Sequence, residues 1–201
     1  MVVSVLIASI LAVVFIAFRV TVAAKSTQSG VVGTMLKALA SLGFIAVGIT
    51  AIYMGGITGN GINVKAAIFI VAGQIMGLIG DIVLDLKVVY LKSKEEGVYL
   101  TSGMASFGIG HILFFVAVIL YFGTQIISWA IVGICIAVAA VCAFAMVFGG
   151  AKFMKFDFGK FTVHSVCYAF VLLFMGAIGV AAWVKGAAAN PHTPLFAVGM
   201  I

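Results

Sequence analysis

Two of the chain's five acidic residues, Asp81 and Asp85, stand one helical turn apart at the end of a long apolar run. The stretch reads Gly77-Leu-Ile-Gly80-Asp81-Ile-Val-Leu-Asp85, and the run that leads into it begins near Ala66. That length is enough to cross a bilayer. A carboxylate kept in or near hydrocarbon is costly unless it is solvated, paired or protonated, so an acid in this place is a functional-site hypothesis by default. Gln74, Asp81 and Asp85 are spaced seven and four apart, which puts them on one helical face. Gly73, Gly77 and Gly80 form the neighbouring face, where small residues let a second helix approach closely. Asp85 has a plainer reading beside this one, as a charge marking the interfacial end of its helix near Lys87.

Other polar groups lie in apolar surroundings. His111 follows Ser106 and Gly110, and reads either as a satisfied packing residue or as a proton carrier near neutral pH. Lys37 either snorkels to the interface or points inward to pair with a carboxylate. His164 and Tyr168 stand one turn apart, and Tyr168 reads equally as a packing residue or as a hydrogen-bond donor to a substrate. His192, near Pro191 and Pro194, reads as structural. Cys135, Cys142 and Cys167 form no CxxC pair, so they suggest neither a disulfide framework nor a metal site. Phosphate loops, nucleophile elbows and zinc or calcium motifs are absent from the sequence, and no cofactor is expected.

The elements that must position these residues follow from composition. The chain is 65% hydrophobic and 8% charged over 201 residues, with apolar runs of about 18 residues or more. This predicts an all-α, polytopic transmembrane helical bundle forming a single integral-membrane domain over residues 1–201. The expected spans are Val2–Phe18, Leu36–Met54, Ala66–Leu86, Ser102–Phe122, Ser128–Phe148 and Thr162–Val184. A seventh helix starts near Pro194 and meets the last residue, Ile201, before it can span, so the domain is expected to continue beyond that point.

Nine of the eleven basic residues fall in or beside the odd-numbered loops, leaving Lys65 and Lys185 on the other side. The positive-inside rule makes the odd side cytoplasmic and the N-terminus external. Asp81, Asp85, Lys37, His164 and Tyr168 then share the inner half of the bilayer, with His111 near mid-depth. The net charge of +6 reports this orientation and does not suggest nucleic acid. The fifth loop interleaves Lys152, Lys155 and Lys160 with phenylalanines, a pattern suited to headgroups and membrane lipid.

Gly80-Asp81-Ile-Val-Leu84, followed by Phe107-Gly-Ile-Gly-His111-Ile-Leu-Phe114-Phe115, resembles the YhhN-like family, the lysoplasmalogenases and their relatives. That family has a Gly-Asp-x-x-Leu motif at a helix end and a Phe-x-x-x-His motif in the next helix. Lys37 matches its early second-helix lysine and Tyr168 its later tyrosine. Asp85 departs from the family pattern, as does the long charged segment 87–99. The resemblance implies eight helices in the intact protein and a second acidic motif beyond Ile201.

The resemblance also implies hydrolysis of the vinyl ether of a lysoplasmalogen, a lysophospholipid, to a fatty aldehyde and a glycerophospho-alcohol. Such an ether is cleaved by protonating its β-carbon, which needs a general acid and a negative group to stabilise the resulting cation. Desolvation favours the neutral form of a carboxyl, which suits Asp81 to the acid's part. His111 is the second catalytic candidate. Lys37, Gln74, Asp85, His164 and Tyr168 are the substrate-binding candidates. The implied setting is a bacterial plasma membrane, with the site toward the cytoplasmic leaflet. A proton-coupled or lipid transporter, with Asp81 and His111 as relay, is the alternative reading. A non-catalytic membrane assembly factor that packs through its glycine stripes is a third, and it leaves Asp81 unexplained.

Overall fold

A computed structural model of the chain describes residues 2–21, 27–58, 63–89, 96–153 and 159–186. It holds six α-helices, α1 (Val2–Thr21), α2 (Thr27–Thr58), α3 (Val64–Val89), α4 (Glu96–Ile126), α5 (Trp129–Phe153) and α6 (Thr162–Gly186), with a short 3₁₀ turn at Gly159–Phe161. No strand occurs among the described residues. All six helices are long and apolar enough to cross a membrane. In hydrocarbon a helix satisfies every backbone N–H and C=O within the segment, which is why continuous apolar runs fold this way. The proposed seventh helix, His192 and the loop lysines Lys25, Lys92, Lys94 and Lys155 lie outside the described residues.

Most helices are longer than the expected spans. α2 begins at Thr27 rather than Leu36, and α4 at Glu96 rather than Ser102. Hydropathy marks only the stretch that crosses hydrocarbon. Helical hydrogen bonding continues past it until something stops it, and the chain's two prolines, Pro191 and Pro194, both lie beyond α6. Two starts are capped. The Asn63 side-chain oxygen accepts from the Ala66 amide at 3.1 Å, and the Ser128 hydroxyl oxygen accepts from the Ile131 amide at 3.4 Å, each satisfying a donor that the helix itself cannot. Near its end α4 kinks at Gly123, whose φ of 71° and ψ of 164° leave the helical region. Glycine enters that region without the steric cost that a Cβ imposes.

The chain divides into two compact units, Met1–Ala117 and Val118–Ile201, with α4 starting in the first and ending in the second. In the first, glycines set several close approaches. A Cβ at Gly43 would lie 3.1 Å from the Ala8 Cα, so α1 and α2 touch there almost backbone to backbone. A Cβ at Gly73 would lie 2.5 Å from Phe114 and 3.0 Å from the Gly110 carbonyl, and one at Gly80 would lie 2.8 Å from Phe107. This is the small-residue seam expected on α3, and its partner is α4. The Ser106 hydroxyl donates to the Met76 carbonyl at 2.7 Å across the same seam.

In the second unit, Ala139, Ala143 and Val147 bury one stripe of α5, and Met175, Ile178 and Ala182 one stripe of α6. An apolar groove of about 620 Å³ runs between these two helices, lined in part by Phe144, Phe148, Val163, Val166, Cys167 and Phe170.

Candidate active site

The site is built where α1 ends, α2 begins and α3 ends. α2 and α3 run antiparallel, so each step along one is matched by an equal step back along the other. Lys37 therefore faces Asp81 and Asp85, Ser41 faces Asp81, and Gly48 faces Gln74. Lys37 and Ser41 are one turn apart on α2, as Asp81 and Asp85 are on α3. Two local periodicities thus bring four polar side chains to one interhelical contact.

The contacts form a chain of alternating charge. Lys37 Nζ lies 2.9 Å from Asp81 Oδ1 and 4.0 Å from Asp85 Oδ1. The Ser41 hydroxyl donates to Asp81 Oδ2 at 2.8 Å. Arg19 Nη2 donates to Asp85 Oδ2 at 3.1 Å. Each oxygen of Asp81 therefore has its own donor, the bonding pattern of a carboxylate acting as acceptor only. Asp85 is 8% exposed, the one buried charged residue among those described. It is paired rather than left as an isolated end-of-helix charge. Of the two readings open for Lys37, the structure shows the inward one.

Gln74 shares the face that α3 turns toward α2, as its spacing predicts. Its side-chain oxygen is buried and accepts no hydrogen bond. A Cβ at Gly48 would lie 2.7 Å from that oxygen, so α2 makes room for the amide by having no side chain there. His111 has different partners. Its Nδ1 lies 2.7 Å from the Phe107 carbonyl one turn back, and a carbonyl can only accept, so Nδ1 carries the hydrogen. The ring meets Phe114 edge-on with centroids 6.1 Å apart. His164 and Tyr168 lie on α6, in the second unit. His164 meets the Phe161 ring edge-on, and its Nδ1 is buried without a hydrogen bond.

Two members of the cluster were not among the residues singled out by spacing. Ser41 carried a signal, since it lies one turn from Lys37 on the same face of α2. Arg19 read only as a topology marker. The available hint was a count, because two carboxylates at one helix end call for two cations and Lys37 supplies one. Among the described residues, no three His, Cys, Asp or Glu side chains gather as metal ligands.

The family model described as the YhhN family matches residues 33–201. The matched stretch includes Lys37, Ser41, Gln74, Asp81, Asp85, His111, His164 and Tyr168, and leaves out Arg19. No curated protein and no solved structure matches the chain.

Proposed function

The chain belongs to the YhhN family of membrane proteins, and on that premise we propose that it hydrolyses the vinyl ether of a lysoplasmalogen to a fatty aldehyde and a glycerophospho-alcohol. The observation that carries the proposal is Asp81, set on a membrane-spanning helix with Lys37 donating to one oxygen and Ser41 to the other.

In this reading Asp81 enters the reaction protonated and gives its proton to the β-carbon of the vinyl ether. The α-carbon becomes an oxocarbenium ion, and Asp81 becomes the carboxylate whose contacts are described above. Lys37 and Ser41 then act where charge develops, because their bonds to Asp81 strengthen as it loses the proton. Water adds to the cation and returns a proton to Asp81. The resulting hemiacetal moves its hydroxyl proton to the departing glycerol oxygen and collapses to the aldehyde. One water is consumed and Asp81 is restored. His111, with Nδ1–H turned to its own helix, keeps Nε2 for the proton transfer in the collapse. Gln74 is assigned to substrate contacts. The charge bias of the loops supports an external N-terminus and a site toward the cytoplasmic leaflet.

Aldehyde release from lysoplasmenyl-ethanolamine by the purified protein in detergent tests this reading. Asp81→Asn is expected to lower turnover by about 10²–10⁴-fold, the range of a general acid's contribution. Undiminished turnover in that variant would remove Asp81 from the acid's role. An inactive wild type that instead couples lipid or solute uptake to protons in liposomes would favour a transporter.

A further inference from the structure

The Arg19 guanidinium is held at one corner only. Nη2 donates to Asp85, and the guanidinium carbon lies 5.7 Å from the Phe15 ring centroid. Its remaining N–H groups have no hydrogen-bond partner among the described residues, and the side chain is 29% exposed. A guanidinium has five N–H donors in a planar fork, so the part facing away from Asp85 carries donors enough to grip two oxygens of one anion. α2 leaves room for it. A Cβ at Gly33 would lie 3.2 Å from the guanidinium carbon and 3.3 Å from Nε. Gly33 is buried, and its missing side chain lets the guanidinium lie against the α2 backbone.

Position and charge select the anion. Arg19 lies in the last turn of α1, which ends at Thr21, and Asp85 in the last turns of α3, which ends at Val89. In a helix that crosses a bilayer this is the level where hydrocarbon gives way to headgroups, and the anion found there is a lipid phosphate. Asp81 lies four residues deeper along α3, a rise of about 6 Å. That offset is comparable with the glycerol backbone that separates the phosphate of a lysophospholipid from its first ether oxygen. As paired in the structure the side chains of Arg19, Lys37, Asp81 and Asp85 sum to zero, and the proton on Asp81 with which the proposed reaction begins leaves one positive charge. The single negative charge of a phosphodiester balances it.

We propose that Arg19 is the headgroup anchor of the site, binding the phosphodiester of the lysophospholipid through the N–H groups that Asp85 leaves free. Asp85 is the positioning residue that aims the guanidinium. Arg19 is thus the residue that tells a phospholipid from a neutral monoacylglycerol-like lipid. This rests on the proposed site at Asp81 for the placement of the ether, but the recognition of phosphate is measurable without any turnover.

The test is equilibrium binding of two saturated, non-hydrolysable ether lipids of equal chain length to the full protein in detergent. One carries a phosphoethanolamine headgroup and the other ends in free glycerol. The wild type is expected to prefer the phosphate-bearing lipid by about tenfold or more, as a charge-assisted bidentate contact allows. Arg19→Ala is expected to erase that preference while binding the glycerol lipid as before, and Arg19→Lys to keep part of it. Asp85→Asn retains the guanidinium and loosens the contact that aims it, so it is expected to lower the preference without erasing it, and unchanged binding of the glycerol lipid guards against misfolding of the alanine variant. Inorganic phosphate that displaces the phospholipid from wild type but not from Arg19→Ala would show that the same subsite takes free phosphate. Equal binding of the two lipids by wild type, or a preference that survives Arg19→Ala, would overturn the proposal. Phosphate preference without aldehyde release would leave Arg19's role standing and remove the hydrolase reading.

Discussion

Lys37 and Asp81 meet at 2.9 Å across the α2–α3 contact, and the same ammonium stays 4.0 Å from Asp85, which Arg19 holds instead. The division of labour matters because each carboxylate has its own cation. Lys37 does not have to serve both acids, and Asp81 has an undivided donor on one oxygen with the Ser41 hydroxyl on the other. The Lys37 and Asp81 side chains are 26% and 16% exposed, so the pair is neither a screened surface contact nor fully sealed.

Breaking that pair on one side is expected to cost more than removing it. Lys37→Met leaves a part-buried carboxylate without its cation and should lower stability by about 1–3 kcal/mol, between the values for exposed and buried pairs. The double variant Lys37→Met with Asp81→Asn should recover most of that loss and stay inactive. Denaturation in mixed micelles followed by circular dichroism reads both stabilities. A double variant no more stable than Lys37→Met would mean that the pair contributes nothing specific.

The α3–α4 seam predicts opposite outcomes for two glycines. Gly73→Ala places a methyl group 2.5 Å from Phe114 and 3.0 Å from the Gly110 carbonyl. The phenyl ring can turn, but the backbone carbonyl cannot move without separating the helices, so a loss of about 1–3 kcal/mol is expected. A Cβ at Gly108 meets nothing within 4 Å, and Gly108→Ala should gain up to about 1 kcal/mol from helix propensity alone. Thermal unfolding of the two variants side by side decides the matter. Equal effects would contradict the packing described.

Gly48 and Gln74 should be energetically coupled. Gly48→Ala drives a methyl group to 2.7 Å from the Gln74 oxygen and 3.0 Å from a Val71 methyl. In a Gln74→Ala background the first clash disappears and part of the cost of Gly48→Ala with it. A double-mutant cycle is expected to show a coupling of about 0.5 kcal/mol or more. Strict additivity would place the Gln74 amide elsewhere.

Much of this protein is legible in its sequence. Hydropathy gave six helices and approximate spans, because in a bilayer a long apolar segment has few alternatives to a helix. Spacing put Gln74, Asp81 and Asp85 on one face and the glycines of α3 on the next, because 3.6 residues per turn is a local property. Helix ends were less legible, since hydropathy does not report where hydrogen bonding stops in polar flanks such as Thr27–Gly33.

Which face of each helix carries its polar and small residues follows from local spacing alone. Which faces meet, and in what register, follows from packing between helices. Whether Lys37 snorkels or turns inward depends on where α3 lies. That Ser41 is a donor to Asp81, and Arg19 the partner of Asp85, depends on the alignment of three successive helices whose paired residues stand 40 and 66 positions apart. The physical reason is one of range: helical periodicity acts over a turn or two, whereas an ion pair or a hydrogen bond between helices exists only after close packing has brought donor and acceptor within about 3 Å.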